Sequence, residues 1–319
     1  MPVCQSLVRL AAGLLLATAV AAPAAAEPSF VPVFRDNFPD PHIVEHQGEF
    51  IAYSTNAGIN LPMLTSRDLV HWTWVTGSDG KRRDGMPELA PWVKEGFTWA
   101  PEVMKVGGKW LLYYTANHRK RNVQCLGVAA ADNPMGPFRD SDGKLYLYYK
   151  SDGNRVGKKT IIWGQRLAPD GLSVVGAPVA LVEDDKDWEW KLVEAPTMVR
   201  SAAGHQLFYS AAFYGWDPKE RLSRYATGYA TCAGPLGPCT DAPENPILHS
   251  FNDKDAGCLS GPGHTSIFQA RGRHFIAFHA WEATKGCRKA DDKRYLYVAP
   301  LFWKDGKPQI GISLREAGK

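Results

Sequence analysis

The stretch Gly143-Lys144-Leu145-Tyr146-Leu147-Tyr148-Tyr149-Lys150 opens on a glycine and a charged residue, then runs almost wholly apolar and aromatic. Short runs of this composition, punctuated by glycine and turn residues, are strand signals. The pattern recurs as Gly48-Glu49-Phe50-Ile51-Ala52-Tyr53-Ser54-Thr55 and as Gly108-Lys109-Trp110-Leu111-Leu112-Tyr113-Tyr114-Thr115. Gly204-His205-Gln206-Leu207-Phe208-Tyr209-Ser210 and Gly272-Arg273-His274-Phe275-Ile276-Ala277-Phe278-His279 complete a set of five. Self-similarity at a steady interval marks a repeat architecture, in which each unit buries its faces against its neighbours.

The intervals between copies decide which repeat. From Gly48 to Gly108 is 60 residues, from Gly143 to Gly204 is 61, and from Gly204 to Gly272 is 68. These steps suit four-stranded propeller blades with enlarged loops, and a sandwich offers no reason for such a period. The expected fold is therefore all-β, a five-bladed β-propeller in a single domain. From Gly108 to Gly143 is only 35 residues, about 25 short of the usual step, as if the third blade lacked its first strand. No window shows a sustained helical period, so helix is expected only as short turns, as near Lys186 to Glu189.

Residues 1–26 read as a signal peptide. Arg9 precedes an apolar run from Leu10 to Val20, and Ala24-Ala25-Ala26 offers small residues for cleavage. The apolar run is short for a bilayer span. The mature chain, residues 27–319, is expected to be secreted or periplasmic and monomeric. Its net charge, +4 for the whole chain, and the lack of a basic stripe argue against nucleic acid as a partner. Five cysteines remain after the leader. Cys232 and Cys239 flank a turn-rich loop that can close on itself, Cys258 and Cys287 flank the fifth strand copy, and Cys125 has no evident partner. Their spacing does not suit zinc.

A short motif precedes four of the strand copies. These are Asn37-Phe38-Pro39-Asp40-Pro41, Thr98-Trp99-Ala100-Pro101-Glu102, Val193-Glu194-Ala195-Pro196-Thr197 and Gly261-Pro262-Gly263-His264-Thr265-Ser266. The first strand of each blade lines a propeller's central channel, so Asp40, Glu102, Glu194 and His264 are expected to converge on one axial pocket.

These motifs, together with Asp140-Ser141-Asp142-Gly143-Lys144 and its strand, resemble glycoside hydrolase family 43, the arabinanase, α-L-arabinofuranosidase and β-xylosidase group, over most of Phe34 to Ile312. The resemblance implies an inverting glycosidase. Asp40 would be the general base that activates water and Glu194 the general acid that protonates the leaving oxygen. Acetal cleavage by inversion needs one carboxylate and one carboxylic acid on opposite sides of the sugar, the acid with a raised pKa. His264 matches the family's axial histidine, near which a structural calcium ion with water ligands is expected. No cofactor is required for the chemistry. Phe38 and Trp99 are candidates to stack on a sugar face. Glu102 is given no catalytic role. The implied substrate is an arabinose- or xylose-containing plant polysaccharide. The first activity is α-L-arabinofuranosidic cleavage in arabinan or arabinoxylan, with a β-xylosidase and a weakly active or inactive carbohydrate-binding propeller as alternatives.

The chain departs from the resemblance at one place. The family carries a third carboxylate, an Asp that raises the acid's pKa, shortly before the third blade's Asp-x-Asp-Gly turn. Here Gly136-Pro137-Phe138-Arg139 runs directly into Asp140-Ser141-Asp142-Gly143. Asp140 and Asp142 match the later turn. Relatives also carry in that segment a cysteine that would pair with one like Cys125. One deletion accounts for the short step, the missing Asp and the orphan thiol, and implies impaired catalysis.

Overall fold

The structure, a computed structural model, describes residues 30–131, 145–217, 219, 222–253, 257–284 and 287–315. The leader, Asp140, Asp142 and the junction at Arg139 lie outside these residues. Five antiparallel sheets form the blades. Blade 1 holds β1 (His42–His46), β2 (Glu49–Tyr53), β3 (Met63–Ser66) and β4 (Thr73–Trp74). Blade 2 holds β5 (Val93–Val106), β6 (Lys109–His118) and β7 (Gln124–Ala131). Blade 3 holds β8 (Leu145–Lys150), β9 (Ile161–Leu167) and β10 (Val174–Glu183). Blade 4 holds β11 (Val193–Ser201), β12 (Gly204–Ala211), β13 (Ala226–Cys232) and β14 (Cys239–Asp241). A hairpin of β15 (Phe251–Asp253) and β16 (Gly257–Leu259) precedes blade 5, which holds β17 (Gly263–Ala270), β18 (Arg273–Thr284), β19 (Arg288–Lys304) and β20 (Lys307–Ile310). Among the described residues helix is limited to two 3-10 turns, Gly153–Val156 and Asp187–Glu189.

The repeated strand is the second of its blade in β2, β6, β12 and β18. Neighbouring blades cover both its faces, so it needs no polar alternation, and β12 is buried along Gln206 to Ala211. The recurring glycine has a turn to make. Gln47-Gly48 and Arg271-Gly272 each join two paired strands with positive φ at both residues, the requirement of a two-residue hairpin turn.

In blade 3 the same strand, β8, comes first. Among the described residues it pairs only with β9 and has no partner on its channel side. Among the described residues the seam between blades 2 and 3 is correspondingly thin. Its buried cluster is Val106, Leu111, Leu145 and Leu167, against fourteen buried residues between blades 4 and 5. Beside the thin seam, Leu126, Val128, Val174 and Val179 are exposed.

The ring closes through the early chain. The Val33 amide donates to the Leu296 carbonyl at 2.9 Å and the Phe38 amide to the Arg294 carbonyl at 2.8 Å, docking residues 33–38 on blade 5. Cys232–Cys239 and Cys258–Cys287 form the two disulfides, while Cys125 is a free thiol. Cys258–Cys287 spans 29 residues and constrains the unfolded chain. Replacing both cysteines with serine is expected to lower the unfolding free energy by about 3–4 kcal/mol, read from the urea midpoint.

Candidate active site

Four blades enter the channel through the same backbone device. Pairing slips by a residue between Trp99 and Glu102, between Glu194 and Thr197, and between Gly263 and Ser266. Within each slip sits a residue with left-handed φ: Ala100 at 49°, Ala195 at 53° and His264 at 50°. Asp40, at 54°, takes the same conformation just before β1. A bulge re-aims the side chains beside it. A non-glycine residue in this region costs roughly 1–3 kcal/mol, and such strain concentrates at functional sites. The motif residues Asp40, Glu194 and His264 are brought together in this way.

Asp40 is buried. Its Oδ2 accepts from the Thr55 hydroxyl at 2.5 Å, and that hydroxyl in turn accepts from the Ala100 amide at 2.8 Å. Its Oδ1 lies 3.2 Å from Arg294 Nη1 and 3.3 Å from Nδ1 of both His264 and His279. Burial alone would raise the Asp40 pKa. The neighbouring His264, Arg294 and His279 outweigh it and hold the carboxyl well below its ordinary range. The Asp40 amide donates to His279 Nδ1 at 3.0 Å. Burial, helped by the Arg294 charge, pushes the His279 pKa down to about 4, which leaves this ring neutral at pH 7. The site therefore presents a carboxylate held in its charged form.

Glu194 is held differently from what a resting general acid needs. Its Oε1 accepts from the Tyr225 hydroxyl at 2.7 Å and its Oε2 from Lys150 Nζ at 3.0 Å. Burial would raise its pKa, yet Lys150, His264 and Tyr225 together lower it below the usual glutamate value. The expected upward shift is thus reversed, for a physical reason: the neighbour is a cation. Lys150 ends the out-of-place strand β8, and its ammonium also lies 3.3 Å from Asp152 Oδ1.

The remaining expected residues divide. His264 stands between the carboxylates, against Asp40 and within electrostatic reach of Glu194, and its amide donates to the Ser210 hydroxyl at 2.8 Å. Trp99 is half-buried with its ring 5.9 Å from that of Phe97. Phe38 is a correction. It is fully buried against Phe34 and Trp74 in the core between blades 5 and 1, so it offers no face to a sugar. Glu102 instead lines a cavity of about 680 Å³, together with His42, Tyr146, Tyr148, Thr197 and Ser266 among others. Asp40, Glu194 and His264 are not part of that lining. Glu102 is open to the cavity but surrounded by protein, and desolvation pushes its pKa up to about 7.

Calcium takes six to eight oxygen ligands. Among the described residues no cluster of three or more acidic, histidine or cysteine side chains is placed to hold an ion, and the Arg294 guanidinium is already at Asp40 beside His264. The donor set does not fit an ion ligated by protein carboxylates. Thr55, Lys150, Tyr225, His279 and Arg294 were not singled out by sequence.

The sequence profile of Glycosyl hydrolases family 43 matches residues 31–141 and 138–308, two stretches that meet at the short step before blade 3. Extracellular endo-alpha-(1->5)-L-arabinanase 2 of Bacillus subtilis is 24% identical, aligned over 90% of this chain and 73% of its own. Xylosidase/arabinosidase 43A of Humicola insolens is 26% identical over 69% of this chain and 76% of its own. The crystal structure of a thermostable family-43 glycoside hydrolase superposes with a TM-score of 0.73 at 25% identity, covering 88% of this chain and 95% of that one. Blade architecture and profile agree, and the chain belongs to glycosyl hydrolase family 43, a family of O-glycosyl hydrolases.

Proposed function

We propose that the protein is an exported, monomeric inverting glycosidase acting on α-L-arabinofuranosidic bonds of arabinan or arabinoxylan, with Asp40 as base and Glu194 as acid. The observation that carries this reading is the pairing of two carboxylates around one histidine on the propeller axis, with Asp40 fixed in its charged form. Water on the Asp40 side loses a proton to that carboxylate as it attacks the anomeric carbon. The leaving oxygen departs on the opposite face with a proton from Glu194. Arg294 and Thr55 orient Asp40, while Tyr225 orients Glu194. The chemistry needs no metal, and a structural calcium near His264 would have to rely on water for most of its ligands. Similarity to an extracellular endo-alpha-(1->5)-L-arabinanase and an extracellular exo-alpha-(1->5)-L-arabinofuranosidase supports export and this substrate class, and the two disulfides support export.

A second reading has a specific observation behind it. Lys150 holds Glu194 as a carboxylate, which favours binding over hydrolysis. Purified protein assayed on aryl α-L-arabinofuranoside and aryl β-D-xyloside separates the readings. Faster release from the arabinofuranoside is expected. Faster release from the xyloside favours the xylosidase alternative. No release from either, with arabino-oligosaccharide binding retained, means a carbohydrate-binding propeller.

A further inference from the structure

Three large aromatic side chains stand exposed at the rim of blade 4. Trp190 is 55% exposed, Phe213 47% and Tyr214 46%. They are contiguous, with ring centres 6.3 Å apart for Trp190 and Phe213 and 5.3 Å apart for Phe213 and Tyr214. The row runs into the active site. Tyr214 meets Tyr225 edge-on at 6.5 Å, and Tyr225 donates to Glu194. Arg294, which contacts Asp40, lies over the Tyr214 ring at 5.6 Å.

The row is held in place. The buried Ser223 hydroxyl lies 3.3 Å from the Phe213 carbonyl and 3.1 Å from that of Tyr214, and the Trp281 indole N–H donates to the Tyr214 carbonyl at 2.7 Å. Trp190 sits at φ 44° and ψ 47°, a left-handed conformation unusual for a bulky residue, where it ends the 3-10 turn Asp187–Glu189. The Arg224 guanidinium lies 5.9 Å from its ring centre. Strain and exposure at an aromatic contiguous with a catalytic carboxylate point to a ligand, because a contiguous exposed apolar patch is seldom left without one.

Building on the glycosidase reading above, we propose that Trp190, Phe213 and Tyr214 form an extended subsite for a neutral pentose chain, which leads away from Glu194 along the rim of blade 4. Aromatic rings offer flat apolar faces to the C–H side of a sugar while its hydroxyls stay in water, at low conformational cost because each side chain has two χ angles. Three successive ring contacts reach further than one sugar, so the ledge distinguishes polymer from short glycoside.

Calorimetric titration with α-1,5-arabino- and β-1,4-xylo-oligosaccharides of two and six sugars tests this on the whole protein. In the better-bound series, Trp190→Ala and Phe213→Ala are each expected to weaken hexasaccharide binding by about tenfold and to leave disaccharide binding within about twofold. Trp190→Phe should restore most of the loss, as a structural defect would not. Equal weakening at both lengths, or none at six, would overturn the ledge while leaving the glycosidase reading intact. Failure of the native protein to bind any of the four ligands would overturn the glycan reading, and the ledge with it.

Discussion

Replacing Lys150 with methionine is expected to raise turnover of an aryl arabinofuranoside at pH 7 by about tenfold, the ratio by which one pKa unit changes a protonated fraction. A general acid must carry its proton when substrate arrives. Glu194 faces an ammonium at 3.0 Å that stabilises its charged form, so the protonated fraction falls off at a lower pH than for a free glutamate. Removing the cation raises the Glu194 pKa through two changes with the same sign. The opposite charge is lost, and Asp152, which shares the ammonium with Glu194, becomes an unscreened like charge nearby. The alkaline limb of the pH–rate profile should move to higher pH, with the acid limb unmoved. Methionine keeps much of the stem's packing, so Lys150→Met tests charge more than volume. Lys150→Arg should behave like the native enzyme. An unmoved alkaline limb in Lys150→Met, with the fold intact by circular dichroism, would show that Lys150 does not set the protonation of Glu194.

Asp40→Asn is expected to reduce kcat by about 10³-fold or more while leaving oligosaccharide binding within a few-fold, since general-base catalysis is worth about 10²–10⁴. The amide is isosteric but cannot take a proton from water. The same change reports on stability. The folded Asp40 pKa lies below its unfolded value of about 3.9. The native charge therefore contributes stability that is fully present above that pH and is lost as pH falls through the folded value. Asp40→Asn should flatten this acid-side loss. Its cost at pH 7 is that Arg294 loses its carboxylate partner while still mostly buried. Activity near the native level in this variant would remove Asp40 from the role of base.

The fold was legible because propeller blades repeat. Once Gly48, Gly108, Gly143, Gly204 and Gly272 are aligned, strand order, blade number and the short third step follow from spacing. Three axial residues were legible for the same reason, since Asp40, Glu194 and His264 occupy blade-start motifs. The partners that set their electrostatics were less visible because they lie on the next strand. A signal for them was nonetheless present. Each repeated strand ends in a polar residue, and Thr55, Lys150, Ser210 and His279 all reach the site from that position. Arg294 and Tyr225 carry no such mark, because they come from third strands or the loop before one, outside the repeat. Phe38 was misread for a simple reason: adjacency in sequence to Asp40 does not give the direction of a side chain, and the left-handed step at Asp40 turns the two apart.

The central claim is that the axial carboxylates hydrolyse a pentosidic bond by inversion. The most direct measurement is proton NMR of the first sugar released from an aryl α-L-arabinofuranoside, recorded before mutarotation, for the native protein and Lys150→Met in parallel. The arrangement predicts β-L-arabinose first in both, formed faster by the variant. The α-anomer appearing first, or no sugar from either protein, would contradict it.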